Sequence, residues 1–295
     1  MHAGFKWFAA GLPPVVSVFL GMLSLVAHAD ETQKPWESEP QPYVLEDRLR
    51  MQVAVWNAKI DTTLRVDGTP TQAGTTLNAE RDLALGSKKL MPDVELSLFP
   101  GERHLLRLGV FTSRRNNQTK LTSTVNFGKD VFNPGDTVNS TLDINMVGLG
   151  YGYRVLKDRR YELDAELRVQ VATFSDNMQC SLCAPRAAGQ PQPNYNRQPD
   201  TITLPLPMVG GEGRVQLYKR LDFTARYYWL AATVVDTHGE IRDWQAGLLY
   251  HYRQNFGISL EYRAYNTHVD SNSNDHPGTL DMRYRGWQLG FRGSL

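Results

Sequence analysis

The sequence predicts an all-β chain, a transmembrane antiparallel up-and-down β-barrel of about ten strands. Three observations carry this reading. Apolar residues recur with period two and almost nowhere with helical period. The alternating segments are joined by connections that are short and long in turn, and aromatic residues bracket the short ones.

Composition sets the outer bounds. The chain has 295 residues, 41% hydrophobic and 21% charged, with 24 Gly and 16 Pro, which excludes collagen and disordered tails. Lys plus Arg is 32 against 31 for Asp plus Glu, so no global field recruits nucleic acid, and none is expected as a partner. Only the N-terminus holds an apolar run, so a multi-span helical protein is excluded.

That run, from about Val15 to Ala27, follows Lys6 and ends in Ala27-His28-Ala29. Small residues at the third and first positions before a cut suit signal peptidase, so residues 1–29 read as a cleaved signal peptide. Residues 30–47, acidic and holding Pro35, Pro40 and Pro42, read as a flexible periplasmic lead-in, and 48–295 as the barrel. Export implies an oxidising compartment, where Cys180 and Cys183 are expected to form a local disulfide staple.

The expected strands are 48–66, 88–98, 103–125, 138–155, 159–174, 203–218, 221–235, 241–253, 255–268 and 279–294. The clearest is the fifth, where Leu163, Ala165, Leu167, Val169 and Val171 alternate with Glu162, Asp164, Glu166, Arg168 and Gln170. Two segments lose phase. Leu142, Ile144 and Met146 give way to Leu149, Tyr151 and Tyr153; Leu280, Met282 and Tyr284 give way to Trp287, Leu289 and Phe291. A one-residue bulge in each would restore the phase.

Tight turns are expected at 99–102, 156–158, 219–220 and 253–255. Longer polar connections run through 67–87, 126–137, 175–202, 236–240 and 269–278. Short turns on the periplasmic side and long loops outside are the asymmetry of an even-stranded outer-membrane barrel. Phe99, Tyr153, Tyr161, Tyr218, Phe223, Tyr252 and Phe256 flank the short turns as a headgroup-level girdle.

Gln288, Gly290, Phe291 and the terminal Leu295 resemble the C-terminal insertion signal of bacterial outer-membrane barrels, although Gly293 stands where that pattern favours an apolar residue. The chain as a whole resembles the small, uncharacterised outer-membrane β-barrel domain family. This implies the outer membrane of a Gram-negative cell, its lipids and lipopolysaccharide as surroundings, and the barrel assembly machinery as a partner. It implies no cofactor and no metal.

The lumen-facing phase carries Arg107, Glu162, Asp164, Glu166, Arg168, Arg226, Glu261 and Arg263, with Arg48, Arg50, Asp93, Glu95, Arg103, Glu212, Arg214 and Asp222. Both signs in a narrow lumen fit either a salt-bridged plug or a narrow passive channel. The function expected is a structural or surface-interaction barrel, or such a channel. The alternative is a surface hydrolase, a lipid A-modifying enzyme or a protease. Asp236-x-His238 is similar in spacing and loop position to the catalytic Asp–His pair of the omptin proteases, and a carboxylate can orient an imidazole as general base. The omptins' acidic pair in the second outer loop has no counterpart, since Asp130 and Asp136 are too far apart. His268, Asp270, Asp275 and His276 form a second His/Asp group in or beside the last outer loop.

Overall fold

The computed structural model describes residues 48–68, 73–158, 160–184, 195–196, 198–234, 237–253, 255–272 and 277–295. The signal peptide and lead-in expected over 1–47 lie outside the described residues. The elements in chain order are β1 (Leu49–Val66), β2 (Leu77–Asn78), β3 (Lys88–Leu98), β4 (His104–Lys120), β5 (Val125–Phe127), β6 (Asp130–Phe132) and β7 (Thr137–Lys157). They continue as β8 (Tyr161–Leu182), β9 (Asp200–Tyr218), β10 (Leu221–Val234), β11 (Thr237–Arg253), β12 (Phe256–Ser271) and β13 (Gly278–Ser294).

Ten of these, β1, β3, β4 and β7 to β13, pair antiparallel with their neighbours, and β13 returns to β1 over Arg50↔Ser294 to Val66↔Gly278. The sheet therefore closes into a barrel, the form that satisfies strand amides internally; toward the long connections the β3–β4 pairing stops at Asp93↔Phe111 and the β9–β10 pairing at Val209↔Trp229. The short β2 extends the β3 position upward, pairing with β1 at Thr63↔Asn78 and Leu64↔Leu77. β5 and β6 form a separate hairpin in the connection before β7.

The two phase losses are not bulges. β7 runs against β4 and β8 without a register shift from Val138 to Arg154, and β13 runs unbroken against β1 and β12. The backbone keeps its alternation, and it is the chemistry that changes faces. On β7, Leu142, Ile144 and Met146 are buried inside, whereas Val147, Leu149, Tyr151, Tyr153 and Val155 are exposed outside.

Several of the long strands make this exchange near mid-length. On β8 the inward residues change from Glu162, Asp164 and Glu166 to Ala172, Phe174 and Met178, while the outward ones change from Leu167, Val169 and Val171 to Thr173, Ser175 and Asn177. On β1 the inward set passes from Arg50 and Gln52 to Trp56, Ala58 and Ile60, and the outward set from Val53 and Val55 to Lys59 and Asp61. The barrel thus has two zones. Next to the short turns its wall is apolar outside and polar inside; toward the long connections it is polar outside and apolar inside. The outward apolar run, Leu163 to Val171 on β8, is the ~9–11 residues that a tilted strand needs to cross a bilayer. The rest of each strand projects beyond that belt.

This inversion also extends the strands past their expected ends. β8 continues to Leu182, so the connection expected over 175–202 is shortened by strand at both ends. The girdle needs one correction. Tyr153, Tyr218, Tyr252 and Phe256 are exposed on the wall, but Phe99 is buried, with the Arg50 and Arg154 guanidiniums 4.9 and 4.7 Å from its ring centroid. A second aromatic group, Trp244, Tyr262 and Trp287, sits on the wall at the far edge of the belt, with ring centroids 5.7 and 5.4 Å apart in succession.

Strand contact at the exchange level is close. A Cβ at Gly286 would lie 1.9 Å from the Asn57 carbonyl oxygen on β1, and Trp56 Nε1 donates to the Gly286 carbonyl at 3.2 Å. Gly286→Ala is expected to lower unfolding stability by ~1–3 kcal/mol or to block closure outright. Gly239→Ala, where nothing lies within 4 Å, is expected to be neutral. Urea midpoints and heat-dependent gel mobility measure both, and a Gly286→Ala barrel as stable as wild type would contradict the packing described.

Candidate functional site

The lumen is occupied at two levels. In the belt zone it is filled by a charged network whose cations are all arginines, the side chain with a planar donor fork able to serve several carboxylates. Arg107, 3% exposed, stands at its centre. Its Nη1 meets Glu95 and Glu212 at 2.6 Å each, and its Nη2 meets Glu166 at 2.7 Å, so it joins β3, β8 and β9 across the barrel. The second Glu95 oxygen accepts from Arg226 at 2.6 Å, and Arg226 also donates to Gln245 at 2.8 Å. Gln245 donates to Glu261 at 2.6 Å, and Thr224 to the other Glu261 oxygen at 2.9 Å.

Two further groups complete the layer. Arg263 bridges Asp93 at 2.6 Å and Asp243 at 2.8 Å, with its guanidinium 4.9 Å from the Trp56 ring centroid. Nearer the short turns, Arg154 pairs with Glu162 and with Asp164 at 3.3 Å, and Arg214 with Glu162 at 3.3 Å and Asp222 at 3.1 Å. His251 Nε2 lies 2.8 Å from Asp222. The sequence-assigned Glu162, Asp164, Glu166, Arg168, Arg107, Arg226, Glu261 and Arg263 all sit on the lumen face. Arg168 lies over the Tyr228 ring at 5.3 Å, and the Tyr228 hydroxyl donates to Glu166. Arg48 and Arg103, placed in the lumen by phase, are exposed at the turn end instead, because neither strand has begun there.

Above the charges lies an apolar layer of Trp56, Ile60, Met91, Ile144, Met146, Phe174, Met208, Tyr228, Leu230, Tyr265, Met282 and Tyr284. Period-two reasoning missed it, because a lumen was expected to stay polar along its whole length. A cap then closes part of the mouth. Leu77, Ala79, Leu83, Leu85, Leu121, Val125, Phe127 and Phe132 from the connections pack on Leu64, Val138, Leu142, Met178 and Cys180 of the strands. Glu80 anchors the cap to the wall, accepting from the Thr62 amide at 2.7 Å and pairing with Arg115.

Beside the cap a cavity of about 660 Å³ opens at the mouth. Its floor is Leu142, Phe174, Ile202, Leu204 and Leu280; its rim carries Arg65, Asp67, Lys129, Asp130, Asp176 and Asp200. Two spaces within the charged layer, beside Glu212 and Arg292 and beside Asp93 and Arg263, hold about 10 Å³ each, roughly one water apiece.

Cys180 and Cys183 are joined by a disulfide at the end of β8. His238 is exposed, opposite Asp270 on β12, and Asp236 lies outside the described residues, as do Asp275 and His276. His268 Nδ1 contacts Asp281 at 2.7 Å on the outer wall. At the C-terminus Gln288 and Gly290 face inward, Phe291 faces out, and Leu295 is exposed.

No family model and no curated protein matches the chain. Among solved structures, it is similar to the toluene transporter TodX of P. putida, with 7% identity, a TM-score of 0.36 and coverage of 84% of this chain and 90% of TodX. It is similar to Neisserial surface protein A at 10% identity and TM-score 0.32, covering 84% of this chain and 97% of the other. It is also similar to Ail, the attachment invasion locus protein of Yersinia pestis, at 9% identity and TM-score 0.27, covering 82% and 99%. All three are outer-membrane β-barrel proteins.

Replacing Arg107 by Met leaves Glu95, Glu166 and Glu212 buried without their shared cation. Breaking such a group from one side costs ~3–5 kcal/mol, so Arg107→Met is expected to lose that much in urea unfolding, with part restored by adding Glu212→Gln. A loss below ~1 kcal/mol, the scale of an exposed ion pair, would contradict a buried, mutually dependent network.

Proposed function

We propose that this protein is a non-conducting β-barrel of the Gram-negative outer membrane, exported through a cleaved signal peptide, that holds its long-connection end clear of the bilayer as an interaction surface. One observation carries the reading. Along the lumen stand first the Arg107 network and then the Trp56–Phe174–Tyr284 layer, and two spaces described within the charged layer hold about 10 Å³ each. Of the two uses that a mixed-charge lumen allows, the plug is favoured.

The outward belt and its aromatic edges supply the bilayer contact, and the short turns face the periplasm. What remains for interaction is the projecting end, with its capped mouth and its 660 Å³ cavity of apolar floor and charged rim, within the range of ligand-binding clefts. The protein is read as a binding or structural barrel rather than a hydrolase.

The test is electrical. Refolded protein, verified by its heat-dependent gel shift, is expected to give no reproducible steps in a planar bilayer. Deleting cap residues 77–85 is expected to keep it silent, because the two layers beneath still fill the lumen. Stable unitary conductance from the wild type would overturn the proposal in favour of a narrow channel.

A further inference from the structure

We propose that the outer wall of β3, β1 and β13, just beyond the apolar belt, binds the phosphate-bearing headgroup of a net-anionic lipid. The inference rests on the membrane reading above and assigns a site within it. Lys88, Lys59 and Arg285 occupy one row of the ladder: Lys59 is the direct cross-strand partner of Lys88 on one side and of Arg285 on the other. All three are exposed on the outward face. Directly opposed residues hold their Cβ atoms ~5 Å apart, where like charges repel, so three in succession run against the folding of the wall.

Three other exposed arginines near the long-connection end have carboxylate partners. Arg114 meets Asp143 at 2.9 Å, Arg81 meets Asp82 at 2.8 Å, and Arg242 pairs with Glu240. Among the described residues no ion pair involves Lys59, Lys88 or Arg285, and Arg285 has only a 3.5 Å hydrogen bond to Asn266. Arg283, two residues along the same face, adds a fourth cation opposite Asp61.

Position selects a lipid over a soluble anion. The next outward row on the belt side is Leu90, Asn57 and Trp287, with Val55 one row further into the belt; Leu90, Val55 and Trp287 are exposed by 65, 47 and 57%. An acyl chain lying on them places its headgroup at the cations, whose N–H groups make charge-assisted hydrogen bonds to phosphate oxygens. The opposite side lacks this: the first outward residues past the belt on β7, β8 and β9 are Asn145, Thr173 and Thr203. The site is thus one-sided, a place on the wall rather than a general affinity for anionic membranes.

Native mass spectrometry of the folded full barrel from detergent, with phosphatidylglycerol and phosphatidylcholine in competition, reads the site. The wild type is expected to retain phosphatidylglycerol at least tenfold over phosphatidylcholine, and the triple variant Lys59→Gln, Lys88→Gln, Arg285→Gln to lose at least fivefold of that preference. Arg242→Gln is the control and is expected to retain it. The triple variant is also expected to unfold at higher urea than wild type in phosphatidylcholine bilayers, since a repulsive row is removed, which a merely structural role for these residues would reverse. Equal retention by wild type and triple variant overturns the site, as does displacement of the lipid by millimolar inorganic phosphate, which would make it a soluble-anion site. If folded wild type enters vesicles of neither composition, the membrane reading itself fails; insertion without lipid preference removes the site alone.

Discussion

The long barrel strands cross from one solvent to another along their length, and the rest of the architecture follows from that crossing. Where lipid surrounds the wall, the outward residues must be apolar and the inward ones are free to be ionic. Where water surrounds it, the outward residues turn polar and the interior takes the apolar core that any water-soluble barrel needs. The pleat supplies both faces throughout, so the change costs no bulge and no register shift. Two successive residues on β8, Val171 outside and Ala172 inside, show the hinge of the exchange.

The two fillings seal the lumen for different physical reasons. The apolar layer closes it by packing, with Trp56, Phe111, Tyr265 and Tyr284 in ring contact across strands. The charged layer closes it by mutual dependence. Arg107 serves three carboxylates and Glu95 serves two guanidiniums, so no member can leave without stranding another. Charges held this way have little freedom to guide a passing ion.

Fold class and strand count were legible from alternation because lipid imposes a strict outward pattern. The charged lumen residues were legible too, from the same phase. What alternation could not supply was partnership, since Arg107 and Glu212 or Arg263 and Asp93 meet only when the cylinder closes. The mid-strand exchange on β7 and β13 left a plain mark in the sequence, but it was read as a bulge because one solvent was assumed for the whole wall. Continued inversion beyond Phe174 was the signal that strand persists into the connection holding Cys180. The cap and the mouth cavity left no such mark, as Leu77, Leu83, Phe127 and Phe132 lie in segments without a period.

The bilayer ends partway up the long strands. Spin labels placed singly at the outward positions of β8, from Leu167, Val169 and Val171 to Thr173, Ser175 and Asn177, test it in reconstituted protein. Collision with lipid-soluble oxygen should dominate through Val171, and collision with a water-soluble nickel chelate from Thr173 onward. Lipid contact continuing through Asn177 would contradict the two-zone barrel, because the polar half of the wall would then lie in hydrocarbon.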